Sequence, residues 1–134
     1  MIIYNENKSI IDELYIHDSI FTGFNYDYIN RKVYFVCENP YLNKKFDFKF
    51  HNVLLLDMQS CSFWHGGNRI LDIFIEKSTP QMNELFEIQK QYQELYEGSY
   101  LDQKILYLQI KFQINSGDVL LIICEYIEFK EQNI

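Results

Sequence analysis

Alternation of apolar and polar side chains is the feature that most constrains how this 134-residue chain can fold. It is clearest over residues 45–50, where Phe46, Phe48 and Phe50 alternate with charged residues. Successive side chains of a strand point to opposite faces, so this pattern predicts an antiparallel strand with one buried and one solvated face. The chain has 11 phenylalanines, 11 tyrosines and no alanine, a composition that favours strands over long helices.

Seven segments carry this alternation or a continuous apolar run and predict seven strands. They cover residues 19–26, 32–38, 45–50, 53–63, 70–76, 106–114 and 119–129. The sequence 115–118 predicts a hairpin turn, in which Gly117 supplies a positive φ and Ser116 and Asp118 play structural roles.

One long helix is predicted over residues 81–97. Thr79 is placed to cap it, Pro80 suits its first position and Gly98 ends it. Apolar residues recur at three- and four-residue spacing and predict a stripe that faces the core. The stripe consists of Met82, Leu85, Phe86, Tyr92, Leu95 and Tyr96.

Together these elements predict an α+β fold with about seven mostly antiparallel strands. The strands would form a curved sheet or half-barrel, with the helix packed on one face. Residues 1–134 are expected to form a single domain with a core over roughly 15–129. A short N-terminal helix or extension is predicted over 5–15, with helical periodicity from Ser9 to Tyr15.

Charge and hydropathy narrow the classes of partner. The net charge of −7 repels phosphate backbones, so it argues against a nucleic-acid partner and favours a basic one. The longest apolar run, 119–124, is too short to span a membrane.

The first residues lack a signal-peptide pattern, so a cytoplasmic protein is expected, as a monomer or weak homodimer. In that compartment Cys37, Cys61 and Cys124 should be buried, reduced thiols in strands.

Three histidines are candidates for catalysis or metal binding. His17, beside Asp18, could act as a general base, but neighbouring side chains on an extended segment diverge, which favours a structural role for both. His17, His51 and His65 lack the spacing of metal ligands. A metal-dependent enzyme that uses them is an alternative, but no metal or cofactor is expected.

The most unusual loop contains Trp64, Gly66 and Gly67. The glycines could let a backbone approach a ligand and Trp64 could anchor a partner. The loop lacks the spacing of a nucleotide-binding motif, so a strand connection is favoured, with Trp64 closing one end of the core.

Acidic residues and tyrosines cluster on the predicted helix, against Lys90 alone, and the last strand and tail add Glu125, Glu128 and Glu131. They could form one acidic face that binds a partner, and the alternative is a solvated helix face over an aromatic core. Tyrosine provides contact area together with a hydrogen-bonding tip, which suits protein recognition. We expect the partner-binding residues to be Glu84, Glu87, Tyr92, Glu94 and Tyr96.

Three stretches resemble a known family: Ile16–Ile20 with its His-Asp-Ser sequence, Phe63–Gly66, and the Ser-Gly-Asp turn that leads into Ile122–Cys124. The layout is similar to small bacterial domains of the YxiG-like and related immunity-protein type, encoded near polymorphic toxins, and spans roughly residues 15–129. The resemblance implies a non-enzymatic protein that binds and neutralises a cognate toxin domain. The acidic charge is consistent with a basic toxin. A small-molecule-binding, β-rich domain is a further alternative.

Overall fold

The computed structural model describes residues 1–6, 16–58, 60–96 and 100–134, without the side chains of residues 95 and 96. The predicted helix over 9–15 and the helix end at Gly98 lie outside these residues. The described chain contains nine strands and one helix. They are β1 (Ile2–Ile3), β2 (Ile20–Asp27), β3 (Lys32–Asn39), β4 (Lys44–His51), β5 (Leu55–Asp57), β6 (Ile70–Glu76), α1 (Pro80–Tyr96), β7 (Leu108–Ile114), β8 (Val119–Cys124) and β9 (Tyr126–Asn133).

The strands form two antiparallel sheets, which confirms the predicted α+β class. The first sheet has the order β1-β9-β4-β3-β2, and the second has the order β5-β8-β7-β6. The strands of the described residues form no closed barrel. Of the predicted strands, 53–63 shrinks to the three residues of β5, and residues 58 and 60–63 run as a loop.

The predicted strand 119–129 is in fact two strands that lie in different sheets. The chain leaves β8 in the second sheet after Cys124 and enters β9 in the first sheet at Tyr126. At the break, the N–H of Glu125 donates to the carbonyl of His51 at 3.1 Å. This crossover connects the two sheets at one side.

The main core lies between the two sheets. The predicted alternation in β4 is confirmed, because Phe46, Phe48 and Phe50 are all buried. Phe48 and Phe50 contact Phe112 of β7, whose ring centroid lies 4.3 Å from that of Phe35 in β3. Ile3 of β1 is also fully buried here, so the core extends N-terminal to the predicted range.

Strand β2 departs from simple alternation. Its register with β3 shifts between Phe21 and Gly23, which inserts one extra residue, Thr22. A bulge of this kind changes which side chains face inward. Phe21 and Phe24 therefore both pack against the core.

The cysteines differ from the prediction at one position. Cys37 and Cys124 are buried in strands, and burial raises the pKa of the Cys37 thiol to about 12. The prediction was wrong for Cys61, which is exposed in the loop that follows β5. The structure therefore contains two inert core thiols and one accessible thiol.

Candidate functional site

The start of α1 is fixed by the predicted cap. The N–H of Met82 donates to the Oγ1 of Thr79 at 3.1 Å, and that hydroxyl donates to the Oε1 of Gln109 in β7 at 2.8 Å. Thr79 and Gln109 are both buried. This pair ties the helix to the second sheet and determines which helix face turns inward.

The inner face of α1 packs on the outer side of the second sheet. Met82 is buried in a second core cluster with Tyr107 and Ile123, and Leu85 and Phe86 pack against that cluster. The predicted stripe is therefore confirmed over the first half of the helix. The prediction of a core-facing side chain was wrong for Tyr92, which is 51% exposed, and the side chains of Leu95 and Tyr96 lie outside the described residues.

The outer face of α1 combines exposed apolar and acidic side chains. Glu84, Ile88 and Tyr92 are spaced by four residues and thus follow one another along one side of the helix. Ile88 is 44% exposed, and the carboxylates of Glu87 and Glu94 form an adjacent exposed row. These five residues are called the acidic helix face below. Exposed apolar side chains bordered by charged groups are typical of protein interfaces.

The acidic helix face contains four of the five predicted partner-binding residues. The side chain of the fifth, Tyr96, lies outside the described set. The sequence pattern did not single out Ile88, although its spacing from Glu84 and Tyr92 is readable. The acids of β9, Glu128 and Glu131, lie in the first sheet and do not extend this face.

His17 and Asp18 form a tight turn that joins the two sheets. Asp18 has φ 65°, and its N–H donates to the carbonyl of Ile70 at 2.8 Å. The predicted divergence of the two side chains was wrong, because this left-handed residue is not extended. His17 Nε2 lies 3.5 Å from Asp18 Oδ2, and His17 Nδ1 bonds to the carbonyl of Leu71. Both residues thus have structural partners, although their side chains are largely exposed.

Asp118 holds the loop that contains Trp64. Its carboxylate accepts hydrogen bonds from Ser60 Oγ at 2.5 Å, from the Ser62 N–H at 2.6 Å and from Ser116 Oγ at 2.7 Å. These bonds, first that of Ser60, lower the pKa of Asp118. Gly117 has φ 89° in the turn, as predicted. The turn at 115–118 is therefore both a hairpin and an anchor for the neighbouring loop.

The loop itself lies outside the core. Trp64 is 50% exposed, so the prediction that it closes the core was wrong. The backbone N–H of Trp64 donates to Asn68 Oδ1 at 3.1 Å, and Gly66 and Gly67 have φ 89° and 91°. A side chain at Gly67 would meet Ile20 at 3.0 Å. Glycine is therefore required there by local geometry as well as by φ.

The three histidines do not form a metal site. His51 Nε2 lies 3.2 Å from Glu128 Oε1, and its ring stacks on Tyr126 at 4.5 Å. His17 is in the turn before β2, and His65 is in the exposed loop. Among the described residues no three histidine, cysteine or carboxylate side chains are grouped so that they could hold a metal ion.

A groove that the sequence did not predict lies between the β2–β3 turn, the residues before and in β5, and α1. It has a volume of about 460 Å³ and is lined by Arg31, Lys32, Tyr100 and an apolar floor. The guanidinium carbon of Arg31 lies 4.5 Å from the centroid of the Tyr100 ring. No sequence spacing connects these residues, so only the fold could reveal the groove.

Neither protein-family models nor curated proteins identify a family for this chain. No protein-family model matches it, and a search of curated proteins gives no match either. Over the part of the chain that the structure describes, no helix has both the length and the apolar character that crossing a membrane requires.

Proposed function

We propose that this chain is an immunity-like protein that neutralises a cognate bacterial toxin by binding it non-covalently through the acidic helix face. The observation that carries the proposal is the exposure of Ile88 and Tyr92 beside Glu84, Glu87 and Glu94. Burial of the apolar pair against a partner would stabilise the complex, and the carboxylates would favour a partner with a basic surface.

The size of the protein is compatible with blocking a toxin by steric cover. A stable interface buries roughly 800 Å² on each partner, which is about a tenth of the 8185 Å² accessible surface. The 17 residues of α1 span about 26 Å, and a strip about 10 Å wide along them covers roughly 260 Å². The helix would therefore supply the centre of the interface, and neighbouring surface of the second sheet would supply the remainder.

The helix is also suitably rigid for this role. Its inner face is anchored by Met82 in the second core cluster, and its first turn is tied to β7 through Thr79 and Gln109. A surface that is already ordered loses little conformational entropy on binding. Exposed carboxylates at the edge of an interface mainly accelerate association, and their effect falls as salt is added.

The test uses the protein encoded by the reading frame next to this gene, which the family resemblance implies is the toxin. Binding is measured by calorimetry for the natural chain, for Glu84→Lys/Glu87→Lys, and for the control Glu38→Lys/Glu131→Lys. The control changes the net charge equally but lies in the first sheet. We expect the helix variant to bind on the order of tenfold more weakly, with an unchanged thermal melt, and the control to retain its affinity.

Two results would contradict different parts of the proposal. Equal weakening by both variants, or by neither, would remove the site from the acidic helix face. Absence of any complex between the natural chain and the neighbouring protein would remove the immunity function itself.

A further inference from the structure

The Arg31 groove has the composition of a small-molecule site. Its volume of about 460 Å³ falls within the range of ligand pockets, about 300–1000 Å³. Ligand pockets combine apolar walls with a few placed polar groups. Here the apolar floor consists of Val33, Val53, Leu54, Leu55 and Leu56.

The side chain of Arg31 is held in place from two sides. Its Nη2 donates to Asn52 Oδ1 at 3.3 Å, and Asn52 Nδ2 in turn donates to Glu125 Oε1. The face of the guanidinium lies over Tyr100. At the backbone, the N–H of Val53 donates to the carbonyl of Arg31 at 3.0 Å. The guanidinium is therefore positioned by the fold rather than free to sample many rotamers.

Arg31 retains hydrogen-bonding capacity for an anion. A guanidinium has five N–H donors in a planar fork that matches a carboxylate or phosphate. The salt bridges among the described residues pair His17, Lys44 and His51 with carboxylates, and none of them involves Arg31. Lys32, the next residue, also lines the groove.

Among the residues that the structure describes, Asp27 is the one carboxylate that lines the groove, and it already has hydrogen-bond partners. Asp27 accepts hydrogen bonds from the backbone N–H of Asn30 at 3.1 Å and from its side-chain amide at 2.7 Å. These bonds belong to the β2–β3 turn. Asp27 remains ionised, because these bonds and nearby Lys32 lower its pKa. A ligand anion would thus meet Arg31 as its main cationic partner, with Lys32 shared between the ligand and Asp27.

We propose that this groove binds a small anion with a flat apolar body, such as an aromatic carboxylate or an aromatic phosphate monoester. The anionic group would bind Arg31 and Lys32, and the flat body would lie between the apolar floor and the exposed rings of Tyr26 and Tyr28. These rings are 63% and 83% exposed, so they have area available for stacking. The net charge of −7 disfavours a long polyanion but leaves a single small anion free to pair locally.

This site does not depend on the proposed immunity function. The acidic helix face is directed outward, whereas the groove meets α1 at Gln89, on another side of the helix. Charge reversal at Glu84 and Glu87 should therefore leave anion binding in place. Failure of either proposal would not affect the other.

The test is a titration of the isotope-labelled full chain, followed by NMR. The three probes are 1-naphthyl phosphate, 1-naphthoate and uncharged 1-naphthol. We expect both anions to shift the amide signals of residues 26–33 and 53–56. The charged hydrogen bonds should make at least one anion about tenfold tighter than naphthol, and the tighter anion identifies the preferred head group.

Two variants test the assigned residue. Arg31→Gln should weaken binding of the tighter anion by about tenfold or more. The matched control is Lys49→Gln, which removes a cation that lies 5.6 Å over the Tyr34 ring in the same sheet and should change affinity by less than about twofold.

The proposal would be overturned if naphthol bound as tightly as the anions, if the shifted amides lay outside the groove, or if Arg31→Gln bound like the natural chain. The first two measurements use the natural protein alone. These two measurements therefore test the anion site even if Arg31→Gln fails to fold.

Discussion

Replacement of Phe112 by leucine would test the face-to-face packing of the two sheets. Phe112 lies in β7 of the second sheet and is fully buried. Its ring centroid lies 4.3 Å from that of Phe35, 5.8 Å from Phe48 and 6.3 Å from Phe50. All three partners belong to β3 and β4 of the first sheet. The substitution therefore removes contacts across the interface between the sheets.

The expected loss follows from the atoms and ring contacts removed. Leucine has three fewer side-chain carbons, which accounts for about 2 kcal/mol at about 0.8 kcal/mol for each buried CH₂ group. Loss of the stacked pair with Phe35 adds about 1 kcal/mol. The free energy of unfolding should fall by about 3 kcal/mol. Domains are stable by about 5–15 kcal/mol, so the variant is expected to remain folded.

Urea denaturation measures this loss, and a double-mutant cycle assigns it to the contact between sheets. Phe112→Leu combined with Phe35→Leu should show a coupling of about 1 kcal/mol. The control cycle pairs Phe112→Leu with Phe46→Leu, because the Phe46 ring stacks on Phe129. Its coupling should be close to zero. A total loss below about 1 kcal/mol, or no coupling with Phe35, would refute the packing argument.

Two further predictions concern titrating groups. Asp118→Asn should loosen the loop that Asp118 holds, so that acrylamide quenches the fluorescence of the single tryptophan, Trp64, more strongly. The far-ultraviolet circular dichroism should stay the same. Unaltered quenching would contradict this prediction. Burial lowers the pKa of His51 below 6.5, despite the opposing bond from Glu128. The unfolded chain then binds more protons, so stability should fall as the pH drops from 6.5 towards that lowered value. His51→Gln should flatten this part of the curve of melting temperature against pH, and an identical slope in both proteins would count against the assignment.

Local sequence patterns were sufficient to predict the elements that are determined by interactions between residues close in sequence. The alternation over 45–50 predicted both β4 and its buried phenylalanines. Thr79 and Pro80 predicted the helix start, and Gly117 predicted the turn. In each case the deciding interaction lies within a few residues, so the pattern alone contains the information.

Features that depend on contacts between residues distant in sequence could not be predicted from local patterns. β1 pairs Ile2 with Glu128, at the other end of the chain. The break at Glu125 depends on a hydrogen bond to His51 and interrupts an apolar run that reads as one strand. The bulge at Thr22 brings both Phe21 and Phe24 inward, although strict alternation would place them on opposite faces of the strand.

The two candidate sites also differ in whether local sequence could predict them. The acidic helix face could be predicted, because the spacing of Glu84, Glu87, Tyr92 and Glu94 along one helix defines it. The Arg31 groove could not be predicted, since Asn52 and Tyr100 are distant from Arg31 in sequence and contact it only through the fold. Tyr92 shows the limit of the periodicity argument, because its spacing suits both the core stripe and the exposed face.

The most direct test of the proposed function is growth of cells that express the protein encoded beside this gene, with and without this chain. The immunity proposal predicts that the neighbouring protein stops growth and that the natural chain restores it. Glu84→Lys/Glu87→Lys, expressed at the same level, should restore growth poorly, while Glu38→Lys/Glu131→Lys should restore it fully. A neighbouring protein whose toxicity the natural chain does not relieve, or that is not toxic, would contradict the proposal.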